Sequence, residues 1–133
     1  TSGLLLLTND GELANRLTHP SYEIRKTYVA RLHGEVRPGV KRRLMAGIEL
    51  EDGPIAVDGF RVVDTYGAIT TVEIVVHEGR NRLVRRMMDA VGFPVRELVR
   101  TGFGPIRLDH LQPGTSRRVK GNALTALYGA VGL

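Results

Sequence analysis

Two short stretches hold most of the residues that could do chemistry. One is Glu78-Gly79-Arg80-Asn81-Arg82-Leu83-Val84-Arg85-Arg86-Met87-Met88. At about 100° per residue, Leu83, Val84, Met87, Met88 and Val91 form one apolar stripe of a helix over 80–91. Arg85 and Arg86 fall on opposite flanks, each roughly 130° from the stripe centre, and Arg82 points outward. A guanidinium offers paired donors to a carboxylate or phosphate, which an ammonium does not. Gly79 at the expected helix start lets backbone N–H groups approach an anion. The arginines stand where the helix macrodipole disfavours cations. These features point to an anionic partner. The plain alternative is a solvated basic face, with Arg85 paired to Asp89 at i,i+4.

The other stretch is Lys26-Thr27-Tyr28. In a strand, Lys26 and Tyr28 share a face. An ammonium beside a ring suits a phosphate and an unstacked base. The plain alternative is a solvent-facing lysine beside a half-buried tyrosine. Ser2 has no histidine within local reach, and spacing alone does not build a Ser-His-Asp arrangement.

Composition narrows the chemistry. The chain has 133 residues, 42% hydrophobic and 25% charged, which fits one soluble domain with a real core. Cysteine is absent, so disulfides, zinc–thiolate sites and thiol catalysis are excluded. His19, His33, His77 and His110 show no metal-ligand spacing, and no metal is expected. The net charge of +5 favours a polyanionic partner. With 4 Tyr, 3 Phe and no Trp, a many-ringed stacking platform is not expected, so one or two tyrosines must do any stacking. The apolar run Leu4 to Leu7 is far too short to span a membrane, and no signal peptide is visible. The chain opens at Thr1, without methionine, directly into a strand-like run, which reads as a fragment.

The elements that must position these residues follow from local pattern. Thr1 to Thr8 reads as the end of a buried strand. Asp10 caps a short helix to about Leu17, which His19-Pro20 stops. Ile24 to Val36 is a strand. Pro38 opens a second helix that Gly47 ends. Ile55 to Val57 and Phe60 to Thr65 read as strands joined in a hairpin by Asp58-Gly59. Ile69 to Val76 is a further strand, followed by the arginine helix. Val95 to Phe103 and Ile106 to Leu108 are strands, and Asn122 caps a closing helix to Val131. The expected class is α+β, with a mixed, mainly antiparallel sheet and flanking helices.

In order, TSGLLLLTNDGELANRLTHPSYEIRKTYVARLHG (Thr1 to Gly34), EGRNRLVRRMMDAVGFPVRELVR (Glu78 to Arg100) and GFGPIRLDHLQPGTSRRV (Gly102 to Val119) resemble the pseudouridine synthases of bacterial ribosomal RNA. The resemblance covers nearly the whole chain. It implies isomerisation of a uridine to pseudouridine, without metal or organic cofactor, on a mixed sheet around a cleft. The family's nucleophilic aspartate lies in a Gly-Arg-Leu-Asp-x-x-Thr-Ser-Gly-Leu stretch. Thr1-Ser2-Gly3-Leu4 matches its tail, so the aspartate is expected three residues before Thr1. Asp10 does not match it. A small N-terminal RNA-binding domain, usual in the family, is expected upstream too. Residues 1–133 are thus expected to be a partial catalytic domain, inactive by itself.

The same resemblance assigns roles. Tyr28 matches the tyrosine that stacks on the flipped uracil and is implicated in proton removal. Arg85, not Arg86, matches the arginine that pairs with the aspartate. Lys26, Arg80, Asn81, Arg82 and Arg86 are expected RNA contacts, and Leu98 an apolar pocket wall. Leu83 departs from a glutamine found in many members, which removes a polar contact near the cleft. Arg80-Asn81-Arg82 is closer to the large-subunit members. The expected partner is ribosomal RNA, with no membrane, a cytoplasmic location and a monomeric full-length form. A non-catalytic basic RNA-binding module of ribosomal-protein type, or a basic structural domain, stays open as an alternative.

Overall fold

Asp10 starts the first helix as its side chain dictates. Its Oδ1 accepts the N–H groups of Glu12 and Leu13, both at 3.1 Å, and so caps α1 (Gly11–Thr18). In this computed structural model, which describes residues 1–133, His19 and Pro20 end α1 and begin a 3-10 turn, Pro20–Tyr22. Strand β2 (Lys26–His33) follows. Pro38 sits in the first turn of α2 (Pro38–Ala46), and Gly47, at φ 116°, ends it.

The next segment departs from expectation. Ile48–Leu50 (β3) and Gly53–Ile55 (β4) form a small two-stranded sheet. Its turn is at Glu51-Asp52, not at Asp58-Gly59. The Asp58 N–H bonds the Val75 carbonyl at 2.8 Å, and Gly59 lies level with Val75. Asp58-Gly59 therefore opens β5 (Gly59–Tyr66), whose partner is β6 (Ile69–Val76).

The main sheet adds β7 (Val95–Phe103), β8 (Ile106–Arg107) and β1 (Ser2–Gly3). Its order is β1-β7-β2-β6-β5, with β8 also on β7. Only β1 runs parallel to its neighbour. The sheet is mixed and mainly antiparallel, and with four helices the fold is α+β.

The expected strand over 1–8 shrinks to Ser2–Gly3. Arg100 explains where it stops. The Leu4 N–H still reaches the Arg100 carbonyl at 2.8 Å, but the Leu4 carbonyl is taken by Arg100 Nε and Nη2 at 2.9 and 2.7 Å. A side chain occupies the acceptor that a longer ladder would use. Leu5 and Leu7 then turn outward, 70% and 84% exposed.

Two helix starts also differ. The arginine helix is α3 (Leu83–Ala90), and Arg82 precedes it at φ 52°, in the left-handed region. Arg80 and Asn81 thus lie in a turn, outside the helix. The closing helix, α4 (Gly121–Gly129), is preceded by Lys120, and Asn122 lies inside it.

The core has two parts. Thr70, Val72, Ile74 and Val76 point one way from β6 and are buried. On that side they meet Leu44 of α2 and Leu83, Val84, Met87 and Met88 of α3. Leu4, Leu13, Leu17, Ile24, Phe103, Ile106, Leu127 and Val131 form the second part. Tyr128 of α4 donates to Asp10 Oδ2 at 2.7 Å, so one carboxylate caps α1 and ties it to α4. That hydrogen bond, then the one from the Leu13 N–H, holds the Asp10 carboxyl below its ordinary value.

Candidate active site

Tyr28 lies in the middle strand of the main sheet, level with Ile74 of β6 and Arg100 of β7. Alternation puts Lys26, Tyr28, Ala30 and Leu32 on one face. Ala30 and Leu32 are completely buried there. Tyr28 is partly buried and packs on the core that α3 helps to build. Tyr28 and α3 therefore share a side of the sheet. Leu98 is buried on that side too, level with Ala30.

Helix α3 presents its two arginines to different neighbours. Arg85 Nη1 donates to the Val95 carbonyl of β7 at 3.1 Å. Arg86 turns the other way and grips Asp52 through Nη1 and Nη2, at 3.0 and 2.9 Å. Its Nε donates to the Asn81 carbonyl at 3.0 Å. The helical period placed these side chains on opposite flanks, and that is where they are. The Arg85–Asp89 pair does not form. Arg85 is partly buried and has no carboxylate partner.

Arg80 is also engaged within the chain. It meets Glu78 at 2.8 Å, the Gly53 and Pro54 carbonyls at 3.1 and 2.6 Å, and Asp52 at 3.2 Å. The Arg86 hydrogen bonds foremost, with Arg80 adding to them, hold the Asp52 carboxyl at about 2. Glu78 and Asp52 in turn raise Arg80, and Asp52 raises Arg86. The turn before α3 is thereby clamped to the β3–β4 hairpin. Asn81 and Arg82 stay exposed. Because α3 starts at Leu83, Gly79 is not at a helix N-terminus, and the expected anion site on its N–H groups does not form.

Lys26 is partly buried beside Phe103, with its Nζ 5.7 Å from the ring centroid. Arg100 Cζ lies 5.0 Å from the same centroid. Burial first, then repulsion from Arg100, lowers the Lys26 pKa. The structure groups no three His, Asp or Glu side chains that could hold a metal ion. No helix is long and apolar enough to cross a membrane.

Asp52, Arg100 and Phe103, which hold or flank these side chains, do not stand out in the sequence. A signal existed for Arg100, a charge two residues after Leu98 and so on the face expected to wall the pocket. Asp52 had none, because its partners are distant in sequence.

Residues 1–90, which include Tyr28 and Arg85, match the sequence profile of the RNA pseudouridylate synthases. The chain belongs to that family. An RNA pseudouridine synthase of Mycobacterium tuberculosis is 55% identical over 133 residues, all of this chain and 52% of the relative. The ribosomal large subunit pseudouridine synthase B of Bacillus subtilis is 45% identical over 121 residues, 90% of this chain and 50% of the relative. A crystal structure of a pseudouridylate synthase superposes with a TM-score of 0.85 at 32% identity, over 94% of this chain and 54% of that one. The chain spans about half the length of the curated relatives it matches. The pseudouridine synthase fold expected from the sequence is the one observed.

Proposed function

We propose that residues 1–133 are the larger part of the catalytic domain of a ribosomal RNA pseudouridine synthase acting on the large subunit. The reaction breaks the bond from the ribose C1′ to N1 of uracil and joins C1′ to C5. The C5 proton is lost and N1 gains one. Tyr28 receives the uracil once it has left the RNA stack, and its hydroxyl takes part in removing the C5 proton. Arg85 holds a nucleophilic aspartate ionised in the partly closed site. Leu98 walls the pocket. No metal or organic cofactor takes part.

One observation carries this reading. In the parallel β1–β7 ladder, Ser2 is level with Val99 and Gly3 with Arg100. Continued backwards, a strand entering β1 would run along β7 toward Val95, past the bulge at Arg96. Val95 is the residue whose carbonyl holds Arg85. The stretch in which the resemblance expects the aspartate would thus approach the Arg85 guanidinium, which lacks a carboxylate. A purely RNA-binding module gives no reason for a partly buried guanidinium held there without a carboxylate.

Lys26, Asn81 and Arg82 meet the RNA directly in this reading. Arg80 and Arg86 shape the loop that carries Asn81 and Arg82. The large-subunit assignment rests on Arg80-Asn81-Arg82 and on the B. subtilis relative's name. The full-length form works as a cytoplasmic monomer. The test is tritium release from C5-labelled large-subunit rRNA by the full-length protein, with Tyr28→Phe as the variant. Turnover by the wild type and its loss in the variant are expected. Equal turnover by both would remove Tyr28 from the chemistry.

A further inference from the structure

The middle of the sheet carries two cations without an anion. Arg100 and Phe103 of β7 lie level with Tyr28 and Lys26 of β2. A bulge between the two rows, at Thr101, keeps all four side chains on one face. Lys26 Nζ and Arg100 Cζ both stand over the Phe103 ring, at 5.7 and 5.0 Å. The ring itself is buried. Eight ion pairs form in this chain, and neither Lys26 nor Arg100 is in any of them.

This arrangement works against the fold. Like charges held together and partly out of water repel, and the field of one aromatic face offsets only part of that. Burial and Arg100 together lower the Lys26 pKa. Arg100 is also aimed. Its Nε and Nη2 are fixed on the Leu4 carbonyl, which leaves Nη1 without a partner. Lys26 makes no side-chain hydrogen bond, so its three donors are free. A fixed guanidinium and a free ammonium over one floor suit a group with several acceptor oxygens and a negative charge.

We infer that Lys26 and Arg100 form one seat for an RNA backbone phosphate next to the uridine stacked on Tyr28. The inference rests on the proposed function, which makes Tyr28 the ring that receives the base. A nucleotide rotated out of its stack stays joined to the phosphates on either side, which are carried into the site with it. Tyr28 stands between Lys26 and the deep core, and directly across from Arg100. A base on Tyr28 therefore brings its own linkage within reach of both cations. Arg100 becomes a substrate-binding residue, and Phe103 the floor that positions the pair.

The test uses the full-length protein and transcribed large-subunit rRNA. Binding is measured across a KCl series, and KM and kcat come from tritium release. Lys26→Gln and Arg100→Gln are each expected to raise Kd and KM about tenfold, and kcat is expected to change much less. Each should lower the slope of log K against log salt by about 0.7–1, the loss of one phosphate contact. Arg100→Lys should keep the slope. A merely structural role would lower Tm and leave the salt slope alone. If Arg100→Gln does not fold, Lys26→Gln decides, because Lys26 bonds nothing in the fold. Wild-type slope and KM in Lys26→Gln would overturn the seat. A wild type that makes no pseudouridine, yet loses slope on Lys26→Gln, would sink the proposed reaction and leave the seat standing.

Discussion

Gly3 and Arg100 pass so close that no β-carbon fits between them. A Cβ built on Gly3 would lie 2.3 Å from the Arg100 carbonyl oxygen, and Gly3 holds φ at 106°. Both facts demand glycine at the third position of Thr-Ser-Gly-Leu. Gly3→Ala should detach β1 from β7. The expected loss is about 1–3 kcal/mol from crowding, with backbone strain added. Urea unfolding checks it through a lower midpoint. The full-length protein should also lose turnover, since β1 leads into the site.

The two-point contact of Arg86 with Asp52 sets a pH dependence. The fold lowers the Asp52 carboxyl from 3.8 to about 2. A lowered carboxyl stabilises above its unfolded value, and the effect is lost as pH falls through the folded one. The Tm of the wild type should therefore fall between about pH 4 and about pH 2 more than that of Asp52→Asn. Equal slopes in the two thermal melts would show that the clamp contributes nothing. Hydrogen exchange should also speed up over residues 48–55 in the variant.

Leu44 is the buried anchor of α2, completely inaccessible among Ile55, Val57 and Met88. Leu44→Ala should cost about 2–5 kcal/mol, the usual range for a buried leucine whose cavity does not collapse. Chemical denaturation measures this directly. A cost under about 1 kcal/mol would mean that the site refills by repacking.

What was legible in the sequence was what local physics decides. Val72, Ile74 and Val76 fall on one face of Ile69 to Val76, which pairs as one strand, because a half-buried sheet needs that period. Asp10 caps α1 because a carboxylate next to free N–H groups needs nothing from the rest of the chain. The α3 flanks were legible because helical geometry is rigid. The failures depend on distant partners. Asp58-Gly59 looks like a hairpin until Val75 claims its backbone. The 1–8 strand looks continuous until the Arg100 side chain takes the Leu4 carbonyl. The start of α3 is set by Arg80, which bonds to Gly53 and Pro54, and no local signal announces that.

Arg85 differs from Arg86 in what it lacks. Arg86 has Asp52, and Arg85 has only a carbonyl. In the full-length protein, Arg85→Ala should lower kcat for pseudouridine formation by about 100-fold or more, with a small change in RNA affinity. The expected scale is that of removing a charge that stabilises an ionised nucleophile. Arg86→Ala should lower stability more than kcat. Single-turnover assays with thermal melts separate the two. Comparable kcat losses in both would mean that the helix, not Arg85, is what matters.

The most direct measurement concerns the residue three before Thr1. The full-length protein and a variant with that residue changed to asparagine are incubated with C5-tritiated large-subunit rRNA, alongside residues 1–133 alone. The expected result is an aspartate at that position, tritium release by the full-length protein, and none by the asparagine variant or by residues 1–133. Tritium release by residues 1–133 alone, or by the asparagine variant at the wild-type rate, would contradict a site in which Arg85 waits for that carboxylate.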